Sequence, residues 1–283
     1  MGDMIDENES EWYDPAVGRS TNLGSQIDAS QIPMPSKKLD RKDCAMNMKG
    51  NITGLIPSKL ILEITASYED NFLLAYKNDR YLAEDAILRA ITFAQAYFLH
   101  KSLGTKIYLK LVGKILYWPK ERMLANGDSI IRFKKLLKES NLHIPEQATH
   151  VLFVSDGYIR QHYPNLTQDL PPPAHGGLAG GMICNDGFRS RVIVTRSWRE
   201  QTMAKTMMHE IGHVLGMTHN KWWNKIEGVP EDYCIISKSS KYQSILRSGK
   251  KIKTYAWTIC NRCDLLGRYQ YFMLKGWKYC LAT

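Results

Sequence analysis

Between residues 209 and 219 the chain reads His-Glu-Ile-Gly-His-Val-Leu-Gly-Met-Thr-His, three imidazoles and a carboxylate at the spacing H-E-x-x-H-x-x-G-x-x-H. Residues four apart on a helix stand one turn above each other, so His209 and His213 can offer ring nitrogens to one metal ion. Gly216 can take the left-handed conformation that ends a helix and turns the chain back, which brings His219 round as a third ligand. Three neutral imidazoles leave one position of a four-coordinate Zn²⁺ to water. In comparable sites the metal lowers that water's pKa from 15.7 to about 7 and polarises a scissile carbonyl. Glu210 is then placed to accept the water's proton and deliver it to a leaving amine. The chemistry this allows is zinc-assisted peptide hydrolysis. A helix with surface histidines is the alternative for a bare H-E-x-x-H, and the added glycine and third histidine at fixed offsets argue against it.

The helix that must carry the first two histidines is visible around them. Ser197 and Glu200 form a capping box at its start. Met203, Met207, Ile211 and Val214 recur at helical spacing and mark a core face, with His209 and His213 projecting away from it toward a cleft. Upstream, Leu60, Leu62 and Ile64 begin a strand, Ile87, Ile91, Ala94 and Phe98 mark one face of a helix over 81–101, and Ile107, Leu109 and Leu111 alternate in a second strand. Asp128 can cap a further helix carrying Ile130, Phe133 and Leu137 inward. Short apolar runs at 151–154 and 192–195 read as buried strands. That order predicts an α/β fold with a mixed, mostly parallel sheet and helices against it.

Gly177, Leu178, Ala179, Gly180 and Gly181 admit two readings, a flexible loop or an edge strand. The segment lacks the lysine and hydroxyl residue of a phosphate loop, which argues against nucleotide binding. An edge strand would offer backbone groups to an extended peptide. Proximity to the histidine helix favours that reading.

Taken together, these residues resemble the metzincin zinc metalloproteases, and within them the adamalysin or reprolysin branch, over roughly residues 57 to 283. His213-Val214-Leu215-Gly216-Met217 with His219 is similar to the branch's H-x-L-G-M-x-H. Cys234-Ile235-Ile236-Ser237 resembles its Cys-Ile-Met-Ser turn beneath the metal, and 177–184 resembles the strand on which substrates are laid. The short form looks most like arthropod salivary or venom members. The resemblance implies a five-stranded sheet, a smaller irregular C-terminal subdomain below the zinc cleft, one catalytic Zn²⁺ and a peptide substrate. It also implies a Cys184–Cys280 disulfide and a second one from Cys234 to Cys260 or, less favoured, Cys263. Cys44 is then left over, as an unpaired cysteine or as a pro-segment thiolate over the metal.

Three positions depart from the branch's pattern. Asn220 stands where an aspartate is usual, and Ile236 replaces the turn's methionine, an apolar floor that a stiffer β-branched residue can also supply. Ile61 and Thr283 stand at the positions matching a structural calcium's glutamate and asparagine; hard cations need oxygen donors, so no such calcium is expected.

Composition bounds the rest. The chain has 283 residues, 44% of them hydrophobic, enough for one catalytic domain with a full core. Residues 1–56 begin acidic and continue polar and proline-containing, and read as disordered sequence or the tail of a pro-segment; 57–283 reads as the catalytic domain. A net charge of +10 without a nucleic-acid motif reads as a solvated surface, so no nucleic-acid partner is expected. No apolar run is long enough to span a membrane. Met1 is followed by acidic residues and no apolar signal region, which taken literally means cytosolic. Disulfide-type cysteines and the sequons at Asn51 and Asn165 point the other way, to a secreted monomer whose signal peptide is missing from this chain. Two function classes remain open. One is a secreted zinc endopeptidase acting on extracellular proteins; the other is a weak or inactive protease-fold protein working by contact, which Asn220 and Ile236 keep in play and an intact Glu210 argues against.

Overall fold

The computed structural model describes residues 44–45, 47–48, 50–118, 148, 150–155, 177–180, 190–195, 200–219 and 257–274. The first strand, β1 (Lys59–Glu69), alternates exposed and buried positions as far as Ile64 and then buries every residue through Tyr68 and Glu69. Burial on both faces is what a central strand of a parallel sheet requires, because helices cover it on each side. β1 does lie centrally. β2 (Lys106–Leu111) pairs with its first half and β3 (Leu116–Trp118) with its last three residues, both parallel. On its other side the order continues through β4 (His150–Ser155) and β6 (Ser190–Thr195) to β5 (Gly177–Gly180) at the end of the path. Every pairing is parallel except β5 with β6. The expected mixed, mostly parallel sheet is therefore present, with the Gly177 segment as its antiparallel end strand. β3 was not foreseen, since three residues are too few to show a period.

Two helices follow β1: α1 (Asp70–Ala75), then α2 (Arg80–Phe98). Asp79 caps α2, its carboxylate accepting the Leu82 N–H at 3.1 Å. Ala83, Ala86, Ile87, Ala90, Ile91, Ala94 and Phe98 form its buried stripe, and the small residues among them let it lie close to its neighbours. α2 stops at Phe98, short of the expected 101, because the chain turns into a 3₁₀ segment (Lys101–Leu103) closed by Gly104 at φ 81°. α2 packs on α3 (Glu200–Val214), which also lies against β5 and β6. The last described helix is α4 (Ile259–Leu274). Thr258 and Asn261 close its start reciprocally: the Asn261 side chain accepts the Thr258 N–H, and the Thr258 hydroxyl accepts the Asn261 N–H, each at 3.2 Å.

Two expectations are corrected here. Cys44, Ala45, Ile52 and Ile56 are all buried in the main core, so the folded body takes in residues upstream of the boundary set at 57. The polar sequence around them hides this. Cys44 is also neither unpaired nor a thiolate over a metal: it is bonded to Cys263, with Cα atoms 5.7 Å apart, inside the usual disulfide range. The bond joins the N-terminal strap to α4. Trp257 stacks at 5.3 Å on Phe98 and donates its indole N–H to Tyr97 O at 2.9 Å, while Arg262 donates to Ser102 O at 2.8 Å. α4 is thereby fixed to the end of α2. The Asp128 helix and most of the C-terminal subdomain lie outside the described residues.

Candidate metal centre

α3 carries the first two histidines. From Met207 to Val214 every residue of the helix is buried. The methionine stripe is core, as expected, and His209 and His213 are themselves only 3% and 1% exposed. The helix ends in a Schellman motif: Met217 N–H donates to Gly212 O at 2.9 Å and Gly216 N–H to His213 O at 2.8 Å, with Gly216 at φ +88°. Only glycine takes that φ without steric cost, and here a Cβ would also meet Arg268 Nε at 2.6 Å. The reversal leads directly to His219.

The three rings converge. The Nε2 atoms stand 3.0 Å apart for His209 and His219, 3.0 Å for His209 and His213, and 3.1 Å for His213 and His219. Such a near-equilateral triangle is poor hydrogen-bond geometry, because no ring can aim an N–H at one neighbour while both neighbours' lone pairs point toward the common centre. It suits a cation. Ligand nitrogens around a tetrahedral Zn²⁺, at about 2.0–2.1 Å from the metal, stand roughly 3.3 Å apart, close to the spacing found. The tautomer of one ring follows from its surroundings. His213 Nδ1 lies 2.8 Å from Met217 O, and since a carbonyl only accepts, the proton sits on Nδ1 and Nε2 keeps its lone pair for a metal.

Glu210 is fully buried, and its side chain is pressed against β5. A Cβ added at Gly177 would come within 2.7 Å of Glu210 Cγ and of Thr206 Cγ2, and 2.9 Å of Glu210 Oε1. The end strand thus rides directly over the carboxylate beside the trio. One turn before His209, burial pushes the Lys205 amine down to about 6, so near neutral pH it is mostly uncharged and adds little positive charge beside the imidazoles.

The model of the family described as reprolysin (M12B) family zinc metalloproteases matches residues 167–267, the span that runs from before β5 to the middle of α4. This segment is similar to that family. Comparison with curated proteins yields no match. Among solved structures the chain is similar to archaemetzincin from Methanopyrus kandleri, at 16% identity and TM-score 0.41, over 74% of this chain and 95% of that one. It is similar also to metalloproteinase-II from Bacteroides fragilis, at 17% identity and TM-score 0.46, over 81% of this chain and 60% of that one. A third likeness, to a chain from a chaperone–substrate complex, has 14% identity and TM-score 0.42, over 59% of this chain and 25% of that one. The metal of the matched family is zinc, and His209, His213 and His219 form a group of metal-type side chains that the described residues bring together.

The residues expected to act together fall into two sets. His209, Glu210, His213, His219, Gly177 and Ala179 are placed, the last buried in the end strand. Leu178 and Gly180 belong to the same strand. Gly181, Cys184, Asn220, Cys234, Ile235, Ile236, Cys280 and Thr283 lie outside the described residues, and Ile61 lies in β1. Cys263 is taken by Cys44, which removes the less favoured pairing of Cys234 with Cys263. Two features around the histidine loop were missed from sequence. Asp264 Oδ2 accepts both the N–H and the hydroxyl of Thr218, at 3.0 and 3.1 Å, and Arg268 packs on Gly216. Both sit on α4, Asp264 46 positions after Thr218 and Arg268 further on, with no local spacing to announce them.

Proposed function

We propose that the protein is a secreted zinc endopeptidase that cleaves extracellular proteins. The observation that carries this reading is the convergence of three imidazole nitrogens, 3.0–3.1 Å apart, beside a buried glutamate that packs on an end strand. His209, His213 and His219 would hold a single zinc, whose bound form supplies Lewis-acid polarisation of a carbonyl and a more acidic water. Glu210 takes the proton of the attacking water and returns it to the departing amine. Met217 O holds His213 in the tautomer that keeps Nε2 available. β5 has its partner β6 on one side only among the described strands, which leaves its outer edge to align an extended peptide by strand addition. No structural calcium is part of this reading. The Cys44–Cys263 bond favours an oxidising, extracellular setting, and the protein is proposed to act as a monomer.

The test is digestion of an unfolded protein substrate alongside metal analysis. One zinc per chain is expected, with digestion stopped by a chelator and restored by added zinc. Digestion that survives complete metal removal would overturn the mechanism, and stoichiometric zinc without digestion would favour the contact-only protein instead.

The close approach of Gly177 to Glu210 yields a sharper expectation. In Gly177→Ala the new methyl forces the glutamate off its position, and a misplacement of that size costs between about ten- and a hundredfold in turnover. Zinc content should not change, because the histidines are untouched. Full turnover in Gly177→Ala, measured on a peptide substrate, would show that the strand does not set the glutamate's place.

A further inference from the structure

We propose that Asp264 is a positioning residue for His219: from α4 it clamps the loop that presents the third imidazole. This rests on the zinc reading above. Beyond Val214 the chain has left the helix, and past its capping turn at Gly216 and Met217 it runs without regular structure to His219. Thr218 is the link between Met217, whose carbonyl fixes His213, and His219 itself. Asp264 Oδ2 takes both donors of that link, the backbone N–H at 3.0 Å and the hydroxyl at 3.1 Å. Hydrogen bonds to a carboxylate are about twice as strong as neutral ones, and Asp264 is only 8% exposed, so solvent competes weakly for them.

A second contact from the same helix face acts on the same loop. Arg268, one turn after Asp264, lies so close to Gly216 that an added Cβ would be 3.0 Å from its Cβ. α4 therefore braces the loop at its bend and just before its ligand. The brace is itself anchored, through Cys263 to Cys44 and through Arg262 to Ser102. A rigid strut that holds the chain next to a ligand fixes the ring's approach, which is how residues behind metal ligands raise affinity.

Zinc affinity, read by competition with a chromophoric chelator, tests this in the full chain. Asp264→Ala is expected to weaken zinc binding ten- to a hundredfold. Asp264→Asn keeps an oxygen at the same point and should recover most of the loss. Thr218→Val removes only the hydroxyl bond and should show a smaller loss that disappears in the Asp264→Ala background. In the cobalt-substituted protein, Asp264→Ala should also alter the visible absorption bands, because they report how the third imidazole is held. A folded Asp264→Ala that binds zinc as tightly as the parent overturns the proposal. If that variant does not fold, unchanged zinc affinity in Thr218→Val does so instead. A parent protein without zinc affinity removes the zinc reading itself, and is told apart because no variant is needed to see it.

Discussion

Glu210→Gln is expected to lower proteolysis by about 10²–10⁴-fold while leaving zinc content and fold intact. The change keeps the side chain's size and removes only its capacity to take a proton. Because Glu210 is not among the three converging nitrogens, the metal should stay, which separates this variant from a histidine substitution. The loss corresponds to about 3–5 kcal/mol of transition-state stabilisation. Burial adds a second readout. Glu210 is 0% exposed on a helix whose neighbouring methionines are core, and placing a carboxylate there costs stability that an amide would not. The thermal midpoint of Glu210→Gln should therefore equal or exceed that of the parent. A variant that unfolds, or one that digests protein at the parental rate, would assign Glu210 to the core and not to the chemistry.

What could be read in the chain beforehand was whatever is written locally. The histidine spacing depends on one helix and one glycine, so eleven consecutive residues specify the bend, and the Schellman hydrogen bonds at Gly216 and Met217 are where the pattern puts them. The strand at 60–64 and the buried face of α2 are also periodic and were legible, though α2's end was not, because the 3₁₀ turn after Phe98 has no strong breaker before Gly104. Pairings between distant segments left no trace. Cys44 shares no local pattern with Cys263, and the strap around it looks polar although Cys44, Ala45, Ile52 and Ile56 turn inward. Asp264 was hidden for the same reason. The resemblance drew attention to Asn220 as a missing carboxylate next to the third histidine, whereas a carboxylate reaches that loop from α4. A substitution that looks like a loss along the sequence can thus leave the loop with an acidic partner from elsewhere in the fold.

Removing the Cys44–Cys263 bond tests whether that fold-level brace matters. The two residues are separated by 219 positions, and closing so long a loop restricts the unfolded chain strongly; the chain-entropy relation gives about 5 kcal/mol, and native disulfides typically contribute about 2–5 kcal/mol. For a body of this size each 1 kcal/mol moves the midpoint by about 2–4 °C, so Cys44→Ser/Cys263→Ser should melt roughly 10 °C below the parent. Serine in place of both cysteines avoids leaving a lone buried thiol next to Cys260. Reductant should lower the parent's midpoint by more than the double variant's, which no longer has this bond to lose. The effect should extend past stability. Cys263 precedes Asp264, so once the strap is released α4 is held only by its remaining contacts, and the Thr218 clamp loosens with it. Zinc then binds a less ordered loop and its affinity should fall together with the midpoint, since a ligand that prefers the folded state and the stability of that state are linked. A double variant that melts with the parent would mean that the strap contributes nothing to holding α4, and the route from residue 44 to the third imidazole would be broken at its first step.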